Sequence, residues 1–169
     1  MSDVDDNAVE QLYAASFQRL VVQLYAVTGD LGVAQDVVQE AFVRLLVIPQ
    51  SRRAELANPE TWLRRVAINL AYSLRRRRQG LNRVLSRLGP PPVAPDLSPD
   101  HVALMAAMLQ LPADQRVVVA LYYLADLPVT EVADTLGISP GTVKSRLARA
   151  RPKLKALLAS DDVLDRGGR

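Results

Sequence analysis

Apolar positions recur at steps of three and four through most of the chain, and the few interruptions divide it into segments. Val9, Leu12, Tyr13, Ser16, Phe17, Leu20, Val21 and Leu24 share one side of a predicted helix that Gly29 and Asp30 terminate. A second helix is predicted over about 32–47, with Val33, Val37, Val38, Ala41, Leu45 and Ile48 on its buried side and Pro49 as its stop. A third starts near Pro59, where Asn58 suits the cap and proline the first helical position. It runs through Trp62, Val66, Leu70 and Leu74 into Arg75, Arg76, Arg77 and Arg78, cations that suit the negative end of a helix dipole. No alternating strand pattern and no internal repeat stands out.

The periodicity then fails. Pro90, Pro91, Pro92, Pro95 and Pro99 crowd one short span; each removes a backbone donor, so 89–98 is predicted to be extended, with a short helix over 81–88 before it. Helices resume over about 99–110 and 112–124. The predicted class is therefore all-α: two small helical domains, 1–80 and 99–160, joined by a Pro-rich linker at 81–98 and followed by a tail at 161–169.

The sharpest local pattern lies between Pro128 and Leu154. Val129, Val132, Ala133 and Leu136 give a short helix that Gly137 ends, glycine tolerating the left-handed backbone of a helix C-terminus, and Ile138 can fill the corner. Ser139 is placed as the next N-cap and Pro140 as the first helical residue. Val143, Leu147, Ala150 and Leu154 then form an inward face at steps of four, three and four. The opposite face carries Gly141, Lys144, Ser145, Ala148 and Arg149. Arginine and lysine suit guanine acceptors, serine small polar edges and alanine a thymine methyl, which is the chemistry of a major-groove reader. Arg146 and Arg151 flank this face, where they suit phosphates.

Charge sharpens the picture. Residues 61–95 hold 8 arginines and no acid, and 135–160 hold 6 basic residues and no acid, although the net charge of the whole chain is only +3. Two cationic blocks set among acidic stretches suit two contacts with a polyanion and further contacts with a basic protein; solvated charged faces would give the same runs. Cysteine is absent and His101 is the single histidine, so a disulfide framework, a thiolate or His-based zinc site and a His-based catalytic dyad lack their residues. No apolar run reaches the roughly 18–20 residues of a membrane span, and the acidic start has no signal-peptide pattern, so a cytoplasmic protein without membrane insertion is expected. Phosphate loops and nucleophile elbows are also missing, so neither an enzyme nor a cofactor is expected.

With Leu111-Pro112, Asp114-Gln115-Arg116 and Gly141-Thr142-Val143-Lys144-Ser145-Arg146 in one stretch, the C-terminal part resembles region 4 of extracytoplasmic-function sigma factors. LuxR-type regulators share a similar Thr-Val-Lys motif. The N-terminal half separates the two, because the stretches Ala34-Gln35-Asp36-Val37-Val38-Gln39-Glu40-Ala41-Phe42 and Thr61-Trp62-Leu63-Arg64-Arg65-Val66-Ala67-Ile68-Asn69 resemble sigma region 2.

The resemblance implies a protein that binds core RNA polymerase, through its β′ clamp helices and β flap, and promoter DNA. Region 4 would read the −35 element with Gly141, Thr142, Lys144, Ser145, Arg146, Ala148, Arg149 and Arg151. Region 2 would read and open the −10 element, with Arg64, Arg65, Arg75, Arg76, Arg77 and Arg78 on phosphates. Asn69 matches the position at or near the loop that holds a flipped base, or else caps or pads its helix; Trp62 matches an aromatic at the upstream edge of the bubble, or else packs in the core. Asp36, Gln39 and Glu40 form one edge of their helix, suited to the basic clamp helices. An anti-sigma partner is also implied. Ala148 departs from the bulky or aromatic residue of many relatives, and Pro152 removes one hydrogen bond from the reading helix. Two other readings fit the same residues: a regulator that binds DNA by the C-terminal domain alone, and a sigma mimic that only sequesters an anti-sigma factor.

Overall fold

The structure, a computed structural model, describes residues 3–85 and 99–166. They contain helices and connecting turns but no strand, and the chain divides into two compact units, Met1–Val93 and Ala94–Arg169.

In the first unit, α1 (Asp3–Thr28) is followed by α2 (Leu31–Val47), a short α3 (Gln50–Ala54) and α4 (Pro59–Leu85). Gly29 ends α1 in the left-handed region at φ 72°, its N–H donating 2.8 Å to the Tyr25 carbonyl. The neighbouring Asp30 caps α2, its Oδ1 accepting the Val33 N–H at 2.9 Å. A change of direction thus needs only two residues. α1, α2 and α4 pack pairwise around Leu20, Leu24, Val37, Val38, Phe42, Leu63 and Ile68, all buried. Side chains of this size gain about 1.5–3 kcal/mol each from burial. α3 was not predicted. None of its five residues is fully buried and its sequence is polar apart from Ala54, so it leaves no apolar stripe to read. Asn58 starts α4 as expected, accepting the Thr61 N–H at 3.1 Å. α4 then continues through Gly80 to Leu85, which absorbs the front of the helix expected over 81–88. The rest of that segment and of the expected linker, 86–98, lies outside the described residues.

In the second unit, α5 (Pro99–Leu109), α6 (Ala113–Val119) and α7 (Val129–Leu136) all pack against the long α8 (Pro140–Arg166). Val117, Val118, Leu121, Val132, Val143, Leu147 and Ala150 fill the space between them. The last turn of α6 widens into a π turn, Ala120–Leu124, closed by the Ala125 N–H on the Ala120 carbonyl at 3.1 Å. Asp126 then takes φ 52°, a left-handed backbone that aspartate tolerates better than most residues. α8 passes through Pro152 and reaches Arg166, so the end expected at 160 falls inside a helix. Beyond Pro152, no glycine or further proline occurs before Gly167.

Candidate nucleic-acid interface

α7, its turn and the first part of α8 form a helix-turn-helix whose corner is fixed by backbone and cap hydrogen bonds. Gly137 sits at φ 65°, ψ 35°, and both its N–H and that of Ile138 reach the Ala133 carbonyl, the latter at 3.1 Å. Ser139 Oγ accepts the Thr142 N–H at 3.1 Å and lies 2.8 Å from the Thr142 hydroxyl, which caps α8. Val143, Leu147, Ala150 and Leu154 are buried against the rest of the unit. With that face committed, geometry turns the opposite one outward: Gly141, Lys144, Ser145, Ala148 and Arg149 are all exposed. Ser145 Oγ donates to the Thr142 carbonyl at 3.1 Å, so the hydroxyl is held against the helix while its lone pairs stay available.

The flanks of α8 are less uniform than the sequence suggested. Arg146 is half-buried with its Nε 3.6 Å from Asp114 Oδ2, and Lys153 Nζ donates to Gln115 Oε1 at 3.3 Å. Thr142 is half-buried beside the cap. Arg151 is exposed, but its Nε donates to the Tyr123 hydroxyl at 3.0 Å and its guanidinium carbon lies 5.9 Å from the centroid of the Tyr122 ring. That hydrogen bond holds the Arg151 proton above its ordinary range. Neither tyrosine was singled out in the sequence. The apolar pattern up to Leu124 gave no sign of the π turn that carries them.

On the first unit, Trp62, Arg65, Asn69, Ser73 and Arg76 follow one another along α4 at steps of three and four. Arg65, Asn69 and Arg76 are exposed, as is Arg75, while Trp62 is half-buried. The side chains of Arg77 and Arg78 lie outside the described residues. Arg64 departs from the expected phosphate contact. It is only 4% exposed, its Nε donates to Gln23 Oε1 at 2.9 Å and its Nη2 to Glu60 Oε1 at 3.0 Å. Glu60 is shared with Arg19, whose Nε donates to Oε1 at 3.1 Å and whose Nη2 meets Oε2. The hydrogen bond to Glu60 first, and its charge second, hold the Arg19 proton above its ordinary range. Arg64 thus ties α4 to α1 and supports the stripe from behind. Its neighbours Leu63, Ala67, Ile68 and Ala71 are all buried, and a helical projection of these residues puts Arg64 among them. That was the signal available in the sequence.

Asp36, Gln39 and Glu40 are exposed along α2, and Glu40 pairs with Arg44 at 3.0 Å. The same stripe continues into Val43, 48% exposed, and Val47, 78% exposed, with Leu46 beside them. An acidic edge therefore runs into an apolar end. Only the acidic half is legible in the sequence, because apolar residues near a helix end look like core.

Comparison with known proteins agrees with both halves. The family model for Sigma-70 region 2 matches residues 12–80, and that for Sigma-70, region 4, matches residues 101–154. SigL of Mycobacterium tuberculosis, an ECF RNA polymerase sigma factor, is 33% identical over 152 residues, which cover 86% of this chain and 84% of SigL. The probable RNA polymerase sigma factor RfaY of Xanthomonas campestris is 34% identical over 157 residues, 84% of this chain but 38% of that protein. Among solved structures, the sigma factor RpoE of Bartonella quintana, in complex with the anti-sigma factor NepR, superposes with a TM-score of 0.73 at 24% identity, over 90% of this chain and 97% of that one. The chain belongs to the sigma-70 family, among its extracytoplasmic-function sigma factors. This is a family of transcription regulators and not of catalysts. Among the described residues no helix is long and apolar enough to cross a membrane.

Proposed function

We propose that the chain binds core RNA polymerase and directs promoter-specific initiation, its 99–160 domain reading the −35 element and its 1–80 domain holding and opening the −10 element, with 81–98 as the tether. The observation that carries this reading is the outward face of α8. Gly141, Lys144, Ser145, Ala148 and Arg149 are exposed on a helix whose other side is anchored and whose start is fixed by Gly137 and Ser139. A helix so held can enter a major groove without first ordering itself. The small Gly141 and Ala148 let it approach base edges closely, and Lys144 and Arg149 supply the donors.

On the first unit, Arg65, Arg75 and Arg76 attract phosphates, Arg77 and Arg78 extend the same run, and Asn69 offers an amide to an unstacked base. Trp62 supplies an aromatic edge at the start of that stripe. The exposed Asp36, Gln39 and Glu40, continued by Val43 and Val47, suit the basic β′ clamp helices of the polymerase: charge steers the encounter and apolar area holds it. Catalysis belongs to the polymerase in this scheme, the chain itself is not an enzyme, and it works in the cytoplasm without a cofactor. The Bartonella quintana RpoE, solved with NepR, supports an anti-sigma factor as a further partner.

Runoff transcription with bacterial core polymerase on genomic promoter fragments, with and without the protein, tests the reading. Discrete, protein-dependent transcripts are expected. Failure to bind core at low salt would overturn it.

A further inference from the structure

The two flanks of α8 are built differently. On one, Arg146 faces the carboxylate of Asp114 and Lys153 the amide of Gln115, so side chains of α6 occupy the cations of that flank. On the other, a row of ~16 Å starts at Lys144, at the edge of the reading face, and continues through Arg151 and Lys155 at steps of seven and four, all exposed. On this row Arg151 meets Tyr123, a neutral hydroxyl, which accepts from Arg151 Nε at 3.0 Å and leaves the positive charge intact.

The π turn makes this pairing possible. Its wider spacing keeps Ala120 and Leu121 buried while Tyr123 emerges 48% exposed, with the Tyr122 and Tyr123 rings set edge to face at 4.9 Å. Arg151 is then fixed at Nε by one tyrosine and backed by the ring of the other. A guanidinium has five N–H donors in a rigid plane, and fixing Nε orients the two Nη groups that grip a phosphate side by side.

We propose that Tyr123 is a positioning residue for DNA binding: it orients Arg151 to clamp a backbone phosphate beside the reading face, and Arg146, held by Asp114, does not take that role. This rests on the −35 reading above and adds to it a one-sided backbone grip, together with the residue that prepares it.

The test uses the holoenzyme assembled from the full chain and a duplex selected from a random pool by the wild-type holoenzyme, with a scrambled duplex beside it. Tyr123→Phe removes one exposed hydroxyl, and an unchanged thermal melt establishes that the fold is kept. Loss of that hydrogen bond is expected to weaken binding about fivefold on both duplexes. Arg151→Ala is expected to lower the slope of log affinity against log salt by about 0.9, and Arg146→Ala to leave it alone. In the Arg151→Ala background Tyr123→Phe should change nothing further, which a merely structural role for the hydroxyl would not produce. Wild-type affinity in Tyr123→Phe, or an equal slope change in Arg146→Ala, overturns the inference. So does a loss of core binding with DNA binding intact, which would make this face a protein contact. If Arg149→Ala weakens binding while Tyr123→Phe does not, only this inference fails. If the wild-type holoenzyme selects no duplex, it falls together with the −35 reading.

Discussion

Glu60→Ala should destabilise the first unit more than any other single change in its polar network. The carboxylate serves two arginines of very different exposure: the Arg19 side chain is 54% exposed and that of Arg64 only 5%. The exposed arm contributes at most about 1 kcal/mol. Removing the acid from a buried guanidinium costs about 3–5 kcal/mol; because the Glu60 side chain retains 21% of its exposure and water can partly follow, the lower end, about 3 kcal/mol, applies. Arg64→Met is the informative contrast. It removes the buried charge, keeps most of the volume, leaves Glu60 with Arg19, and takes a donor from the buried Gln23, so about 1–2 kcal/mol is expected. The chain has one tryptophan, Trp62, in the first turn of α4, so its fluorescence during urea unfolding follows the first unit. With a slope near 1 kcal/mol per molar, the Glu60→Ala midpoint should fall by about 3 M and the Arg64→Met midpoint by about 1–2 M. A Glu60→Ala midpoint within about 0.5 M of wild type would refute the claim that Arg64 depends on this acid.

Three further outcomes follow from the second unit. Arg149→Ala should lose about 1–3 kcal/mol of binding on a selected −35 duplex and relax discrimination there, read by competition with single-base variants; equal loss on every sequence would reduce Arg149 to a phosphate contact. Gly137→Ala should cost about 1–2 kcal/mol in thermal unfolding, for a reason confined to the backbone: φ is 65°, yet an added Cβ would meet nothing within 4 Å. Asparagine at the same position should recover part of the loss. Pro152→Ala should stabilise α8 by about 1–3 kcal/mol, since Pro152 is exposed inside a continuous helix and its replacement restores a hydrogen bond, with a raised melting temperature as the check.

Local rules were enough for much of this protein. Asn58 and Ser139 cap the helices they were expected to cap, and Gly137 turns the corner between α7 and α8. The four apolar residues of α8 face inward, while the five residues expected to read DNA face out. Such features depend on a few consecutive residues and on the 3.6-residue period, both written along the chain. What escaped the sequence depends on partners far away in it. Arg64 looked like one of a run of cations available to phosphate; only the approach of α1, bringing Gln23 to a residue 41 positions further on and Arg19 to the neighbouring Glu60, makes it a buried tie. Arg151 likewise reads as a surface charge until the π turn delivers Tyr123 from 28 residues away. A charge run specifies how many cations a segment carries. Which of them are left for DNA is decided by what the fold packs against each one, because a buried guanidinium already holding a carboxylate has little to gain from another anion.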